Sequence, residues 1–519
     1  MSLRMNQSVR ARFAPSPTGD LHVGSLRTAL YSYLFAKKEG GTFILRIEDT
    51  DQKRFVPGSI ESLMQTLQKM GVAYTEGPFE KGSLAVASTA SRDSEMYPGI
   101  VEVGGYGPYI QSERRELYKR YVDTLVEQKK AYRCFCTAER LEAMRIEQGK
   151  NKQAPRYDRH CLGLTENELE KNIKAALPHV IRFLLPENRE IVYTDLVRGE
   201  VRFHTKDLDD HVLMKSDGFP TYHLAAIVDD HLMGITHVLR SEEWLPSTPK
   251  HILLYEAFGW DVPLIGHLSV ILGKDGKKKL SKRDGGVSVD YFLSQGYLEE
   301  ALINFVVLLG WNPGQGNTQE IFSLEELERI FSLSGLHKAG AVFDMKKLDW
   351  MNGEYIKKMP LDQLYAKVVA AGLFKKELIK NASAEQQSES YLMRVLAIER
   401  ERLVTLIEVG DHNPFFFTGE LFYDAVILHW KQNTQALTKQ ALKRSYDILS
   451  ALLESEWEKR EVLEKILLEA AGEKRGDFLW PLRVALTGAD RSPSPFDVAW
   501  VLGKQECLKR LESALQKLS

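Results

Sequence analysis

The sequence predicts an α/β protein built on a parallel sheet, interrupted by an inserted mixed region and followed by an all-helical module. Three observations point there. The N-terminal stretch reads as strand, turn, helix and strand; an α/β rhythm resumes near Leu213; and beyond about Pro360 the apolar spacing becomes almost wholly helical.

Val9 to Phe13 alternates apolar and polar side chains, as a short half-buried strand does. The turn Ala14-Pro15-Ser16-Pro17-Thr18-Gly19 follows, punctuated by proline and glycine. An apolar helix is expected from about His22 to Lys38, stopped by Gly40-Gly41. Phe43 to Glu48, rich in Ile and Leu, is then a second strand. Strand, helix, strand is the unit of a parallel sheet. From Phe79 to Gly107 the texture turns to Gly, Ser, Ala and Thr, and most of it is expected to be extended loop. Ser112 to Lys130 predicts a helix with Leu117, Tyr121 and Leu125 on one face. A mixed region continues to Leu213, after which an apolar segment, Leu224 to Val228, and a helix from Pro249 to Phe258 restore the α/β pattern as far as Trp260. In the helical module Leu442, Tyr446, Leu449 and Leu453 stand at near-helical spacing.

A chain of 519 residues exceeds one ordinary core, so several domains are expected. With 44% hydrophobic and 27% charged residues it has the composition of a soluble globular protein. The most apolar stretch, Leu302 to Trp311, is too short to span a bilayer, so no membrane partner is expected. The first residues lack the apolar core of a secretory signal, and four cysteines are too few for a disulfide scaffold; both predict a reducing cytoplasm. The net charge of −2 lends no support to nucleic-acid binding, so any basic RNA-binding surface must be gathered locally.

Two segments carry chemistry. Pro15 to Gly24 joins a strand to a helix N-terminus, where unpaired N–H groups and partial positive charge suit phosphate. His22 can donate to phosphate oxygen, and Gly24 admits close approach of a ligand. Alone, this is better read as a well-capped helix with an incidental histidine, because one His-x-Gly arises easily by chance. Gly273 to Gly286 is Gly-flanked and densely cationic, suited to closing over a triphosphate. Alone, it is a weak signal, because most such charge runs are solvated lysine clusters.

Together they resemble the paired signatures of class I aminoacyl-tRNA synthetases. His22-Val23-Gly24-Ser25 stands for His-Ile-Gly-His, and Lys279-Leu280-Ser281-Lys282-Arg283 for Lys-Met-Ser-Lys-Ser. Further segments are similar to the glutamate-specific branch: Arg12 to Gly19, Arg46 to Asp51, Pro220 to Leu224, Val228 to His231, Arg240 to Trp244, Asp349 to Gly353 and Leu482 to Gly488. They run in order along nearly the whole chain. Ser25 and Arg283 depart from the general signatures, and the glutamate branch tolerates both.

The resemblance implies a Rossmann-type doubly wound parallel sheet, an inserted acceptor-binding α/β domain and a C-terminal all-α anticodon-binding module. Domains are then expected at 1–76 and 213–260 for the two halves of the catalytic fold, 77–212 for the insertion, 261–360 for a stem-contact region with the basic loop, and 361–519 for the anticodon module. It implies a glutamate–tRNA ligase that forms glutamyl-adenylate from L-glutamate and ATP, with Mg2+, and passes glutamate to tRNA(Glu). A cytoplasmic monomer is expected. Because no enzyme nucleophile is needed, alignment and charge stabilisation at phosphate must supply the catalysis.

By the same resemblance His22, Lys279 and Lys282 are catalytic, and Thr18, His22, Gly24, Glu243, Leu272 and Lys282 hold ATP. Arg12, Ala14, Ser16, Glu48, Tyr222 and Arg240 surround glutamate, with the arginines on carboxylates and Glu48 on the amine. A guanidinium grips a carboxylate through two parallel hydrogen bonds, whereas an amide satisfies only part of that fork. Ala226 replaces a polar side chain found in some relatives. Rejection of aspartate rests on one missing methylene, worth about 1–3 kcal/mol. Taken singly, each residue has a bland alternative: surface ion pairs for the arginines, a solvent-facing strand end for Glu48, a core aromatic for Tyr222.

Two readings stay open for the cysteines. Some bacterial relatives hold zinc with a Cys-x-Cys pair, a later Cys, and a Cys or His two residues beyond it. Here Cys134, Cys136 and Cys161 match, but the last place is Gly163, which cannot ligate. His160 would complete a tetrahedral set, yet neighbours in sequence point apart, and free thiols are the preferred reading. Arg402 aligns with an arginine that separates glutamate from glutamine anticodons, the alternative being an ordinary surface charge. Whether tRNA(Gln) is charged too is left open, and residues 79–103 look like an insertion without an assigned role.

Three rivals are weaker. A shortened paralogue that glutamylates a modified tRNA base lacks the helical module. A small-molecule nucleotidyltransferase does not explain the basic loop together with that module. A catalytically dead RNA-binding homologue would have lost His22 or Lys282, and both are present.

Overall fold

The structure, a computed structural model, describes residues 8–83, 91–281, 286–314 and 316–518. Its contacts divide the chain into two compact units, Met1–Ser294 with Leu302–Met345, and Gln295–Ala301 with Lys346–Ser519. Among the described residues no helix is long and apolar enough to cross a membrane.

In the first unit β1 (Arg10–Phe13) leads through the Pro/Gly turn into the helix Val23–Lys38, which returns the chain to β2 (Thr42–Leu45), parallel to β1. Leu26, Leu30 and Leu34 repeat every fourth residue along that helix and are fully buried.

The stretch Phe79 to Gly107, expected to be mostly extended loop, instead falls largely within a three-stranded antiparallel sheet over residues 77–103. β3 (Gly77–Glu80), β4 (Ser91–Asp93) and β5 (Ile100–Val103) pair in the order β3-β5-β4. Phe79, Val101 and Val103 form its small core, with Tyr74 packed against it. Strands of three or four residues carry too little alternation to stand out from a Gly- and Ser-rich background.

The expected helix after Ser112 begins as a 3-10 turn, Gln111–Arg114, and continues as Arg115–Glu127. Its deepest residues are Tyr118, Val122 and Leu125, while Leu117 and Tyr121 lie at the margin of that core. Farther on, β6 (Ala131–Cys134), β7 (Val180–Phe183), the hairpin β8 (Glu190–Asp195) and β9 (Gly199–His204), and β10 (Val212–Met214) complete the inserted region. Then β11 (His237–Ser241) and β12 (Leu264–Leu268) rejoin the first sheet, whose order is β12-β11-β1-β2, all parallel. The sheet therefore runs past the expected boundary at residue 260. The strand order reverses between β1 and β11, because the chain adds β2 on one side of β1 and β11 and β12 on the other, and ligands of open parallel sheets bind at such a switch point, beyond the carboxyl ends of the strands.

The second unit is helical. Helices Gln435–Ala451, Arg460–Ala471, Arg475–Thr487 and Pro495–Lys517 share one apolar core with Phe416, Leu442, Leu449, Leu482 and Val498 at its centre. Leu453 does not join it: the helix ends at Ala451, the chain turns extended at Leu452, and Leu453 is 68% exposed.

Candidate active site

At the carboxyl ends of β1 and β11 lies a cleft of about 550 Å³. Into it converge Arg12, Ala14, Ser16, Thr18, His22, Gly24, Glu48, Tyr222, Arg240, Glu243 and Lys279. These positions come from five stretches of sequence, and the fold alone makes them neighbours.

The turn after β1 is pinned from several sides. The Glu48 N–H donates to the Pro15 carbonyl at 2.9 Å, and Val56 N–H and the Ser59 hydroxyl both donate to the Pro17 carbonyl. Gly19 has φ +123, a conformation costly for any side chain. His22 caps the following helix: its Nδ1 accepts the Gly24 N–H at 3.0 Å, which leaves the ring proton on Nε2. A Cβ at Gly24 would stand 3.3 Å from that Nδ1, so a side chain there would press on the cap.

Both arms of the basic loop reach this turn. Lys279 and Leu280 line the cleft, and Lys279 Nζ donates to Glu243 Oε2 at 2.5 Å. Downstream, Val23 N–H donates to Val287 and Val289 N–H to Leu21, tying the far arm to the His22 segment. Lys282 and Arg283 lie outside the described residues. Leu272 does not line the cleft. It alternates with Ile271 along the short strand β13 (Ile271–Leu272), so Ile271 faces the cleft and Leu272 turns the other way, against Gly340.

Arg12 and Arg240 are buried, not surface ion pairs. The Arg12 Nε–H donates to Asp230 Oδ1 at 3.0 Å and its Nη2 to Oδ2 at 3.4 Å. Fully buried Arg46 donates to the same Asp230 at 2.7 Å and to Glu48 at 3.0 Å. Burial alone would raise the Asp230 carboxyl, but Arg12 and Arg46 outweigh it and hold it below the ordinary carboxylate range. Glu48 goes the other way: burial lifts it above its usual value despite Arg46 and Arg12.

Arg240 is held differently. It donates to His267 Nε2 at 3.0 Å, Tyr222 Oη at 3.1 Å, His251 Nδ1 at 3.0 Å, Thr248 Oγ1 at 2.9 Å and, more weakly, the Trp244 carbonyl at 3.4 Å. All are neutral acceptors, because burial pushes both histidines down from their ordinary pKa. Trp244, unassigned by sequence reasoning, lines the cleft and packs on Tyr222 with ring centroids 4.2 Å apart. Asp230, Arg46, His251 and His267 were missed as well. Two of these stand inside the motif segments, where a specific role was the only thing lacking. Ala226 is buried in the helix Tyr222–Leu232.

Elsewhere in the first unit Cys134, Cys136 and Cys161 bring their sulfurs within 4.8 Å of one another. The Tyr157 hydroxyl lies 3.2 Å from Cys134 Sγ and 3.4 Å from Cys136 Sγ. His160 is exposed and stands outside this group. In the second unit Arg402 is exposed just after the helix Glu389–Glu399, close enough to Arg483 that, after burial, its charge lowers the Arg483 pKa.

Residues 8–350 match a family model described as tRNA synthetases class I (E and Q), catalytic domain, and residues 364–515 match an anticodon binding domain. A glutamate–tRNA ligase of Clostridioides difficile (strain 630) is 44% identical over 508 residues, covering 97% of this chain and 98% of its own. One of Prosthecochloris aestuarii (strain DSM 271 / SK 413) is 41% identical over 534 residues, with both chains covered completely. The crystal structure of a glutamate tRNA ligase from Elizabethkingia meningosepticum CCUG26117, in complex with its amino acid, superposes with a TM-score of 0.84 at 37% identity, covering 99% of this chain and 100% of that one.

Proposed function

The chain belongs to the class I family of glutamate and glutamine tRNA synthetases, and on that premise we propose how its cleft carries out glutamate–tRNA ligation. In the first step the glutamate α-carboxylate attacks the ATP α-phosphate and pyrophosphate leaves. In the second, a hydroxyl of the terminal adenosine of tRNA(Glu) attacks the adenylate carbonyl and AMP leaves. ATP enters as its magnesium salt.

One observation carries the assignment of roles: Arg12, Glu48, Tyr222 and Arg240 wall the same cleft as His22, Gly24 and Lys279. Arg240 receives a glutamate carboxylate in place of its Tyr222 and Trp244 contacts, and Glu48, steadied by Arg46, receives the amine. His22 offers its Nε2–H to phosphate while Nδ1 caps the helix. Lys279 leaves Glu243 for the triphosphate, which frees the Glu243 carboxylate for ribose hydroxyls, and Lys282 adds a second cation as charge develops on pyrophosphate. In the helical unit Arg402 and Arg483 present paired guanidinium groups to an anticodon nucleotide.

Cys134, Cys136, Cys161 and the Tyr157 oxygen are the residues that would hold zinc. Three thiolates and one oxygen suit its tetrahedral preference, and the ion would brace the inserted region structurally. That geometry weighs for metal over free thiols.

Glutamate-dependent ATP–pyrophosphate exchange, run with tRNA present and glutamine as control, tests the assignment. His22→Ala is expected to lower exchange about 10²–10³-fold, the scale of a lost transition-state donor, while the lost helix cap lowers stability by only about 1 kcal/mol. Wild-type exchange in that variant would overturn the phosphate role.

A further inference from the structure

Arg240 on β11 and His267 on β12 are register partners in neighbouring parallel strands, so their side chains stand side by side on one face of the sheet. Arginine has donors only, so a histidine nitrogen that receives its Nε–H must carry no proton. The His267 proton is thus on Nδ1, where Asp195 Oδ2 accepts it at 2.5 Å. Asp195 cannot turn away: its Oδ1 accepts the backbone N–H groups of Val197 and Arg198 at 2.9 Å each and of His267 at 3.2 Å. Both side chains are buried, Asp195 at 2% exposure and His267 at 0%.

We propose that Asp195 and His267 are positioning residues for glutamate recognition: Asp195 fixes the one His267 tautomer that accepts from Arg240, and this aims the guanidinium at a substrate carboxylate. The inference rests on the reading of Arg240 as a carboxylate site and adds what selects carboxylate over amide. Were Asp195 paired with Arg240 directly, the guanidinium would already have its counter-charge, and a neutral amide would suit it nearly as well. The interposed ring keeps the carboxylate one residue away. Arg240 is then oriented without being neutralised, and the arriving glutamate supplies the anion. Asp195 ends β8 in the inserted region, so this region helps to build the amino-acid pocket as well.

Asp195→Asn makes the chain of hydrogen bonds break in a defined way. Its oxygen stays with the backbone N–H groups and its amide nitrogen turns to His267 Nδ1. The ring proton is forced onto Nε2, which turns it to the Thr248 hydroxyl at 3.1 Å and can no longer accept the Arg240 Nε–H. In tRNA-containing exchange this variant is expected to raise the glutamate KM about tenfold or more, the size of one charge-assisted hydrogen bond. The ATP KM and kcat should stay within about twofold, and the ratio of glutamine Ki to glutamate KM should narrow by about tenfold. His267→Leu should do the same, and His267→Gln, which keeps a neutral oxygen acceptor for Arg240, should restore most of the discrimination. The two His267 variants carry the test if Asp195→Asn does not fold. Unchanged discrimination in Asp195→Asn or His267→Leu sinks the proposal, and so does a parallel loss of kcat and ATP affinity in every variant. Arg240→Gln separates the two levels: if it leaves the glutamate KM unchanged, the carboxylate-site reading itself fails.

Discussion

Two arginines face one cleft from neighbouring strands and are held in opposite ways. Arg12 on β1 shares the Asp230 carboxylate with Arg46, so its charge is compensated inside the fold. Arg240 on β11 touches imidazole, hydroxyl and carbonyl groups, and among the described residues no carboxylate lies within ion-pair distance of it. A guanidinium does not deprotonate in proteins, and a buried charge without a counter-charge is costly. The Arg12 wall is therefore complete by itself, whereas the Arg240 wall, on the proposed reading, is completed by substrate. The proposed function puts both residues on carboxylates; their surroundings divide the labour.

Removing Arg240 should break that division most visibly. Arg240→Gln is expected to raise the glutamate KM about 10²-fold, because charge-assisted bonds to a carboxylate are worth roughly 1.5–3 kcal/mol each. The melting temperature should hold or rise, since an uncompensated buried charge is gone. A fall of several degrees would mean that the neutral shell stabilises the fold after all.

Arg12→Gln should invert the pattern. Asp230 keeps Arg46 but loses half of its compensation, so stability falls by up to about 3 kcal/mol, less than the full loss of a buried pair. Thermal unfolding reads this directly. Its effect on the glutamate KM should be several times smaller than that of Arg240→Gln, and equal effects would erase the contrast between the two walls.

That contrast shows what the sequence could and could not reveal. Arg12, Ser16, Glu48, Tyr222, Arg240 and Lys279 stand in segments distinctive enough to be matched one at a time, and all of them line the cleft. The partners that give each its character are another matter. His267 and Asp195 carry no local signature, and only the register of β11 with β12 and the return of the β8–β9 hairpin bring them beside Arg240. Tyr157 was invisible for a similar reason: its hydroxyl meets the thiols through a loop whose path no periodicity encodes. The sheet at 77–103 escaped because its strands are short.

The cysteine cluster sharpens the comparison from the opposite sign. As Arg240, on the proposed reading, awaits an anion, so on the same reading three thiols and a phenol await a cation. Metal analysis of the purified chain should find about one zinc per molecule, and Cys161→Ser should lose it and melt several degrees lower. Metal-free protein with an unchanged melting temperature would restore the free-thiol reading.

The smallest effect tests the premise beneath the comparison, that a buried charge lacking compensation must find relief. Glu102 is 2% exposed; its Oε1 accepts the Tyr109 and Ile110 N–H groups, and its Oε2 has only partial compensation from Arg92 at 3.5 Å, a guanidinium shared with Glu95 and Glu113. Burial lifts this carboxyl from 4.5 to about 7. Unlike Arg240, it can discharge by taking a proton. Because the folded pKa lies above the unfolded one, the folded state binds that proton more tightly. The associated stability is complete below about pH 4.5 and is lost as pH rises towards 7. Glu102→Gln keeps the oxygen acceptor and locks the neutral form, so it should leave the melting temperature almost unchanged at pH 5 and raise it at pH 8, by a few kcal/mol of stability at most. Melting curves of both proteins at the two pH values decide it. If the gap does not widen with pH, Arg92 already compensates Glu102 across 3.5 Å. A histidine-spaced carboxylate could then do the same for Arg240, and the two walls would differ in geometry but not in charge.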